Sequence, residues 1–239
     1  NPPLHIPFNI ALLDANGQDL PNCTQTLHVV EASQTFTFNH ISAAPLPSLN
    51  RQFGAPVLVK FDYSDDEINF LLAHDSDAFN RWDAAQQLFT RCIIHSMNNI
   101  HTPIFSAAQL ATLGALLAND DLSPAYRAQL FTLPSHAYLA QLISRTRLVD
   151  PQALHAARTR ASDALATYFY DTWEKLYAQL NHGAAYVYSG AAAGERALKN
   201  LALRHLAIRD TNTIALIRAQ YEHCDNMTDR IAALSAMVN

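Results

Sequence analysis

The hydrophobic pattern changes its period at Ser64, and this change limits the possible folds more than any other feature of the chain. The sequence Ser-Asp-Asp-Glu at 64–67 is a capping box, in which a serine hydroxyl and a glutamate carboxylate bind the free backbone N–H groups of a helix start. Before it, short runs alternate between apolar and polar residues, whereas after it apolar residues recur at helical spacing. The sequence therefore predicts a strand-rich domain of residues 1–63 and a helical domain of residues 64–239.

Alternation is clearest in LHIPFNIAL, where every second residue from Leu4 to Leu12 is a large apolar one. This pattern predicts a strand with one buried face. Pro7 cannot donate to a strand ladder, so we expect the strand to lie at a sheet edge or to have this nitrogen facing outward. Asn16-Gly17 predicts a turn and a returning strand. Together with further alternating runs, four or more strands favour a small antiparallel, immunoglobulin-like β-sandwich; those runs are 27–31, 34–38 and 56–63.

The rest of the chain consists of segments of helical periodicity joined by short connections. Helices are predicted from Ser64 and from about Asp77, and then in the segments 106–118, 123–131, 135–144, 151–180, 190–208, 211–223 and 226–238. Eight or so helices of modest length favour antiparallel pairs stacked into a solenoid of the armadillo or HEAT type.

Composition argues against two classes of partner. The formal net charge is -5 and no run of Lys and Arg occurs, so neither nucleic acid nor an anionic membrane surface is expected to bind. No apolar run approaches the roughly 20 residues of a membrane span. The three cysteines are widely spaced, without a Cys-x-x-Cys pair, which favours reduced thiols and a cytoplasmic location.

Histidines offer few arrangements that suit a metal. The His-Glu-x-x-His motif of zinc hydrolases does not occur in the sequence, and His95 with His101 is the closest histidine pair. His74 lies beside two carboxylates in His-Asp-Ser-Asp at 74–77, a group that suits a metal or an acid–base role. Ser76 and Asp77 are also typical of a helix N-cap, and we favour that interpretation.

Three further groups have a chemical and a structural interpretation. Cys92 and His95 are one helical turn apart, as a thiolate and its base would be, but Cys92 falls on the apolar stripe of its helix. The glycine-rich stretch 190–195 lacks a preceding strand and a following Lys-Ser or Lys-Thr, so it predicts a closely packed helix start instead of a phosphate loop. The third group comprises Arg51, Arg81 and Trp82, and two interpretations of it stay open. Either the three residues lie at a domain contact, or Trp82 is a core residue and both Arg side chains are solvated. We expect no catalytic, cofactor-binding or metal-binding residue in this chain.

Four stretches together resemble the bacterial aminopeptidase N type of the M1 zinc metallopeptidase family, in their order and spacing over essentially the whole chain. They are EASQTFTFNHI, PSLNRQFGAPVLVKFDYSDDE, FLLAHDSDAFNRWDAAQ and DNMTDRIAALSA. The resemblance implies four domains in the complete enzyme, of which this chain would supply the small β-sandwich and the first part of the C-terminal helical domain. The family's zinc motif, Gly-x-Met-Glu-Asn loop and catalytic tyrosine belong to the catalytic domain and have no counterpart here.

The resemblance therefore implies a non-catalytic scaffold that limits access to the active site of a larger zinc enzyme. Zinc would belong to the full-length protein, and the partners would be the catalytic domain of the same polypeptide and, through it, peptide substrates. The chain begins at Asn1 without Met and its final helix has no polar cap, so we expect a segment truncated at its C-terminus. By itself it is expected to be inactive. The alternatives are a stand-alone helical module that binds a peptide or protein, and an independent hydrolase that uses Cys92 or the His74 group.

Overall fold

The computed structural model describes residues 4–183, 185–209 and 213–238. The chain divides into two compact units, Asn1–Leu88 and Phe89–Asn239. The first unit contains the strands together with the first helix and the start of the second, and the second unit is helical. The change from strand to helix lies inside the first unit. The division into units therefore does not test the predicted domain boundary between residues 63 and 64, which stays a prediction.

The sheet consists of three antiparallel strands in the order β2-β1-β3. They are β1 (Ile6–Leu13), β2 (Gln25–Val29) and β3 (Leu46–Leu49). Of the two alternatives predicted for this strand, a position at the sheet edge or a Pro7 nitrogen that faces outward, the first is wrong for β1 as a whole, because β1 lies between the other two strands. Only Ile10 to Leu13 pair with β3, however, and Pro7 pairs with His28 of β2 alone. The proline therefore occupies the half of β1 that has a single neighbouring strand, where a missing N–H is tolerated.

The prediction of four or more strands is wrong for the described residues, because the runs 34–38 and 56–63 form no strand. In the first run, the Gln34 side chain donates to the carbonyl of His28 at 3.0 Å and accepts from the Val30 N–H at 2.9 Å. A side-chain amide thus takes the place of a backbone ladder. In the second run, the Tyr63 hydroxyl donates to the Pro47 carbonyl at 2.8 Å. Phe38 of the first run packs against the buried cluster of the sheet, whereas Leu58, Val59 and Phe61 of the second run are exposed.

The core of the sheet lies on both of its faces. One face buries Ile10, Leu12 and Cys23, and partly buried side chains pack against them; these are Leu20, Leu27, Phe38, Ile41 and Leu49. On the other face Ala11 and Leu13 are also fully buried. The prediction of a single buried face is therefore wrong for the second half of β1.

Ten helices follow among the described residues. They are α1 (Asp65–His74), α2 (Ala78–Ser96), α3 (Ala107–Leu117), α4 (Pro124–Leu130), α5 (His136–Ile143), α6 (Pro151–Tyr168), α7 (Tyr170–Leu180), α8 (Gly190–Arg209), α9 (Thr213–His223) and α10 (Met227–Met237). The capping box at Ser64 is confirmed, since its hydroxyl accepts from the Glu67 N–H and the Glu67 carboxylate accepts from the Ser64 N–H. Ser123 caps α4, with Pro124 at the first helical position. No helix in the described ranges is long and apolar enough to cross a lipid bilayer.

The predicted single helix over 151–180 is wrong, because the chain forms two helices that meet at Phe169. This residue has a φ of -106° and a ψ of 23°, outside the helical range. The break lets Phe169 and Trp173 both pack edge-on against Phe131, at ring distances of 6.2 and 5.6 Å. The Trp173 indole also donates to the Leu165 carbonyl at 3.1 Å. Aromatic packing in the core therefore outweighs the continuation of the helix.

Helix α8 lies at the centre of the helical unit, where it packs against α4, α6, α7, α9 and α10. Helix α8 lies close to α4 at Gly194, where an added Cβ would lie 2.9 Å from the Ala125 backbone nitrogen. The interpretation of the glycine-rich stretch 190–195 as a closely packed helix start is thus confirmed. Only Gly194 carries this role, because a Cβ added at Gly190 would meet nothing.

Candidate functional site

The first candidate site is a buried ionic network centred on Arg51, which we call the Arg51 cluster. Its guanidinium donates to Asp19 at 2.7 and 3.1 Å and to Asp75 at 2.8 Å. It also donates to the hydroxyls of Ser48 and Ser76, at 3.1 and 2.6 Å. Asp75 is fully buried and Arg51 is 7% exposed. The cluster therefore joins the loop after β1, the end of β3 and the end of α1.

Two opposing effects set the charge state of Arg51. Burial by itself would lower the pKa of the guanidinium, but hydrogen bonds and charge attraction from Asp19 and Asp75 outweigh it, so the pKa is raised. A permanent positive charge is thus matched by two carboxylates. Such an arrangement fixes the relative positions of the segments that carry it.

The backbone around Arg51 adopts a rare conformation. Asn50, Gln52 and Phe53 all have positive φ, at 55°, 58° and 50°. Side-chain bonds hold this turn, since Asn50 exchanges two hydrogen bonds of 3.0 Å with the Ala55 backbone. The Asp77 carboxylate, moreover, accepts from the Gln52 N–H at 3.1 Å. Backbone strain of this kind persists only where the surroundings fix it, so the turn is a built feature of the first unit.

The same region decides the interpretation of the His74 group. Asp77 caps α2, as predicted, because its carboxylate accepts from the Asn80 N–H at 2.9 Å. Asp75 pairs with Arg51, whereas His74 is exposed and packs on Phe70 at a ring distance of 4.7 Å. The side chains that are adjacent in the sequence thus take separate structural roles.

Of the three residues left open by the sequence, Arg51 is not solvated, because it is the buried centre of the cluster. Trp82 is half-buried and packs against Phe79 at a ring distance of 5.6 Å. Arg81 is half-buried, and its Nε has no hydrogen-bond partner among the residues that the structure describes.

Cys92 and His95 have different surroundings in the helical unit. The Cys92 Sγ lies 3.7 Å from the Gln109 carboxamide oxygen, and the thiol is half-buried. His95 is exposed, with its Nε2 3.2 Å from the Asn99 side-chain nitrogen. His101 is also exposed.

A second buried ionic network lies in the helical unit, and we call it the Asp229 cluster. The Lys199 ammonium donates to the Asp229 carboxylate at 2.6 Å, and Asn200 and Asn226 donate to it at 2.8 and 3.1 Å. Gln220 in turn donates to the Asp229 carbonyl at 3.0 Å. Burial by itself would raise the pKa of Asp229, but the hydrogen bonds, first that from Lys199, lower it. The cluster joins α8, α9 and α10 at one point.

The described residues do not offer a donor set that fits zinc. Among them, no three His, Cys, Asp or Glu side chains lie together in a way that could hold a metal ion. The sequence also lacks the His-Glu-x-x-His motif. No step of a reaction is therefore assigned to zinc on this chain.

Comparison with known proteins decides the family. Residues 65–239 match a family model described as a domain of unknown function (DUF3458_C) with ARM repeats. Residues 1–62 match a second model, DUF3458, described as having an Ig-like fold. The chain belongs to the DUF3458 family. The predicted fold class, an Ig-like β domain followed by a helical repeat, is thereby confirmed.

The relatives of this DUF3458 chain are aminopeptidases. It is 34% identical over 246 residues to aminopeptidase N of Escherichia coli. This alignment covers 99% of the chain and 28% of the relative. Aminopeptidase N of Caulobacter vibrioides is 32% identical, covering 96% of this chain and 26% of the relative. A crystal structure of Legionella pneumophila aminopeptidase A in complex with aspartic acid has a TM-score of 0.83 at 29% identity; it covers 98% of this chain and 28% of the solved one.

These comparisons confirm the resemblance to the aminopeptidase N type over the full chain. The DUF3458 chain spans a little over a quarter of the length of the relatives that it matches. It is homologous to the C-terminal region of aminopeptidase N.

Sequence reasoning missed the Asp229 cluster and the pairing of Arg51 with Asp19 and Asp75. The sequence drew attention to some members of each cluster, because Arg51, Asp75 and Asp229 all lie within the stretches that carry the family resemblance. The pairing itself had no local signal, because Asp19 is 32 residues from Arg51 and Asp229 is 30 residues from Lys199.

Proposed function

We propose that this chain is the non-catalytic part of a zinc-dependent aminopeptidase that removes N-terminal residues from peptides. Its role is that of a scaffold which limits access to an active site on another domain of the same polypeptide. The observation that carries this proposal is the alignment of 99% of the chain with 28% of Escherichia coli aminopeptidase N. Three cysteines without a disulfide support a cytoplasmic location for the parent enzyme.

Two features support the scaffold role. The Arg51 cluster and the positive-φ turn beside it hold strand and helix segments together by buried charge. The Asp229 cluster joins three helices in the same way. A scaffold needs such fixed positions because catalytic groups on a neighbouring domain must be held within fractions of an ångström. That the chain holds no catalytic residue of its own is part of the proposal.

The first test is the size of the native polypeptide that contains this sequence, measured by immunoblotting extracts of the source organism. We expect a band several times larger than the 26.5 kDa of this chain. A band at the size of the chain would contradict the proposal and favour the stand-alone binding module.

The second test addresses the role in catalysis and uses the full-length polypeptide. Hydrolysis of a short aminoacyl amide and of a long peptide is compared between the native enzyme and an Arg51→Met variant of it. A scaffold role predicts a lower kcat/KM for both substrates with the zinc content unchanged. If the variant folds, is less stable and has an unchanged kcat/KM, the Arg51 cluster contributes to stability and not to catalysis.

A further inference from the structure

A second region of the helical unit has features of a ligand site that neither the proposed scaffold role nor the family resemblance uses. It is a cleft of about 510 Å³ between α5, α6 and α8, and we call it the α6–α8 cleft. Its polar side chains include His136 of α5, Arg158 of α6 and Arg204 of α8. Its volume falls within the range of roughly 300–1,000 Å³ that is typical of small-ligand pockets.

The two arginines of the cleft lack anionic partners. The Arg158 Nε donates to the Pro134 carbonyl at 2.8 Å, and its two Nη groups have no hydrogen-bond partner among residues 4–183, 185–209 and 213–238. Arg204 has neither a hydrogen-bond partner nor an ion-pair partner among the same residues. Arg127, by contrast, pairs with Asp120 at 3.1 Å, and Arg51 pairs with two carboxylates.

The charge of Arg204 destabilises the charge of Arg158. Burial, and after it the charge of Arg204, lowers the pKa of Arg158, and burial lowers the pKa of Arg204. Arg158 is half-buried and Arg204 is exposed to solvent. Two like charges that line one cleft repel each other, and an anion bound between them would offset this repulsion. Asp163 is the single carboxylate among the cleft residues, so the cleft has an excess of positive charge on a chain whose formal net charge is -5.

The remaining polar groups add hydrogen-bonding capacity. His136 stacks on His155 at a ring distance of 5.4 Å, and both side chains are exposed to the cleft. His205 also borders the cleft, is 3% exposed and stacks on Trp173 at 4.5 Å. Its Nδ1 is buried without a hydrogen-bond partner within the described part of the chain.

The other wall of the cleft is apolar and includes Phe131, Leu133, Leu201 and Ile208. A ligand that fills the cleft would therefore place a charged group against the arginines and a hydrocarbon group against this wall. Arg binds carboxylate and phosphate oxygens with paired N–H donors, and hydroxyls of Thr159 and Ser162 are available beside them.

We propose that the α6–α8 cleft binds an oxyanion, a carboxylate or phosphate group, carried on a small molecule or peptide end with a short apolar body. The site is independent of the catalytic chemistry proposed for the parent enzyme. Its failure would leave the proposed function unaffected.

The experiment is a calorimetric titration of the 239-residue chain at constant ionic strength with N-acetyl-leucine, N-acetyl-leucinamide and propyl phosphate. We expect one-to-one binding of at least one of the two anions and none of the uncharged amide. Tighter binding of N-acetyl-leucine assigns the site to carboxylates, and tighter binding of propyl phosphate assigns it to phosphates. If neither anion binds up to about 10 mM, or if the amide binds equally well, the proposal is wrong.

Variants locate the binding. Arg158→Gln and Arg204→Gln are each expected to weaken binding roughly tenfold or more, because each removes charge-assisted hydrogen bonds. Arg145→Gln is the matched control, since Arg145 is exposed and lies outside the cleft, and it is expected to bind like the wild type. If Arg204→Gln fails to fold, Arg204→Lys keeps the charge and should retain weakened binding. Equal affinity of the wild type and both glutamine variants would overturn the proposal.

Discussion

The two units of the molecule are stabilised differently. In residues 1–88 the fully buried apolar cluster of the sheet is small, and the Arg51 cluster links segments far apart in the sequence through buried charge. In residues 89–239 most of the largest buried side chains are apolar or aromatic, among them Trp173, Phe89, Phe131 and Leu165. The Asp229 cluster of the helical unit contains the Lys199–Asp229 ion pair, and the neutral amides of Asn200, Asn226 and Gln220 donate its other hydrogen bonds. The contrast teaches that a small sheet depends on a specific ionic centre, whereas stacked helices depend on packing.

The most direct way to break this contrast is to remove the ionic centre of the first unit. Arg51→Met leaves the fully buried Asp75 carboxylate without its positive partner, so we expect the free energy of unfolding to fall by about 3–5 kcal/mol. Urea unfolding followed by circular dichroism measures the loss. Lys60→Met is the control, because Lys60 is exposed in the same unit, and it should change little. A similar loss in both variants would contradict the special role of the cluster.

The packing of the helical unit predicts a pH dependence. Burial lowers the pKa of His205 to about 3 from an ordinary 6.5. Between these values the unfolded chain binds a proton that the folded chain excludes, so stability is highest above pH 6.5 and falls as the pH decreases. Linkage gives a loss of about 2–3 kcal/mol at a pH of about 4.5.

Unfolding midpoints measured across this range test that dependence. His205→Phe keeps a ring against Trp173 but cannot be protonated, so its stability should depend less on pH than that of the wild type. His101→Phe alters an exposed histidine and should leave the wild-type dependence intact. If the His205→Phe profile equals the wild-type profile, the acid sensitivity has another source.

The Asp229 cluster provides a second test of this comparison. It shows whether the loss of any buried ion pair destabilises the protein as much as the loss of Arg51. Lys199→Met leaves Asp229 with hydrogen bonds from Asn200 and Asn226, so the expected loss is about 2 kcal/mol, smaller than that of Arg51→Met. Denaturant unfolding of Lys199→Met is compared with that of Lys175→Met, a change at an exposed position of α7. A loss equal to or above that of Arg51→Met would remove the distinction between the two units.

The smallest expected effect concerns helix packing alone. Gly194→Ala places a methyl group 2.9 Å from Ala125 and forces α4 and α8 apart, which costs more than the gain in helix propensity. The net loss should be about 1 kcal/mol. Gly190→Ala meets no atom within 4 Å and should be neutral or slightly stabilising. Thermal unfolding of the two variants, compared side by side, checks the sign of each change, and a stabilised Gly194→Ala would show that the helices adjust freely.

Much of the helical structure could be predicted because its signals are local. Helix starts at Ser64 and Ser123 depend on hydrogen bonds between residues three apart, which the sequence displays directly. The sheet was predicted less well, because Gln34 and Tyr63 satisfy the backbone through side chains where alternation indicated strands. The break at Phe169 was missed because its cause, packing against Phe131, lies 38 residues away in the chain.

The sequence by itself determined the order of a strand-rich part and a helical part, the helix caps and the resemblance to the aminopeptidase N type. Only the tertiary structure decided which charges meet. Arg51 with Asp75, Lys199 with Asp229, and the unpaired arginines of the α6–α8 cleft are all set by distances between side chains far apart in the sequence. Helix caps form between neighbouring residues and are therefore encoded locally, whereas buried charge pairs form only when the whole unit has excluded water around them.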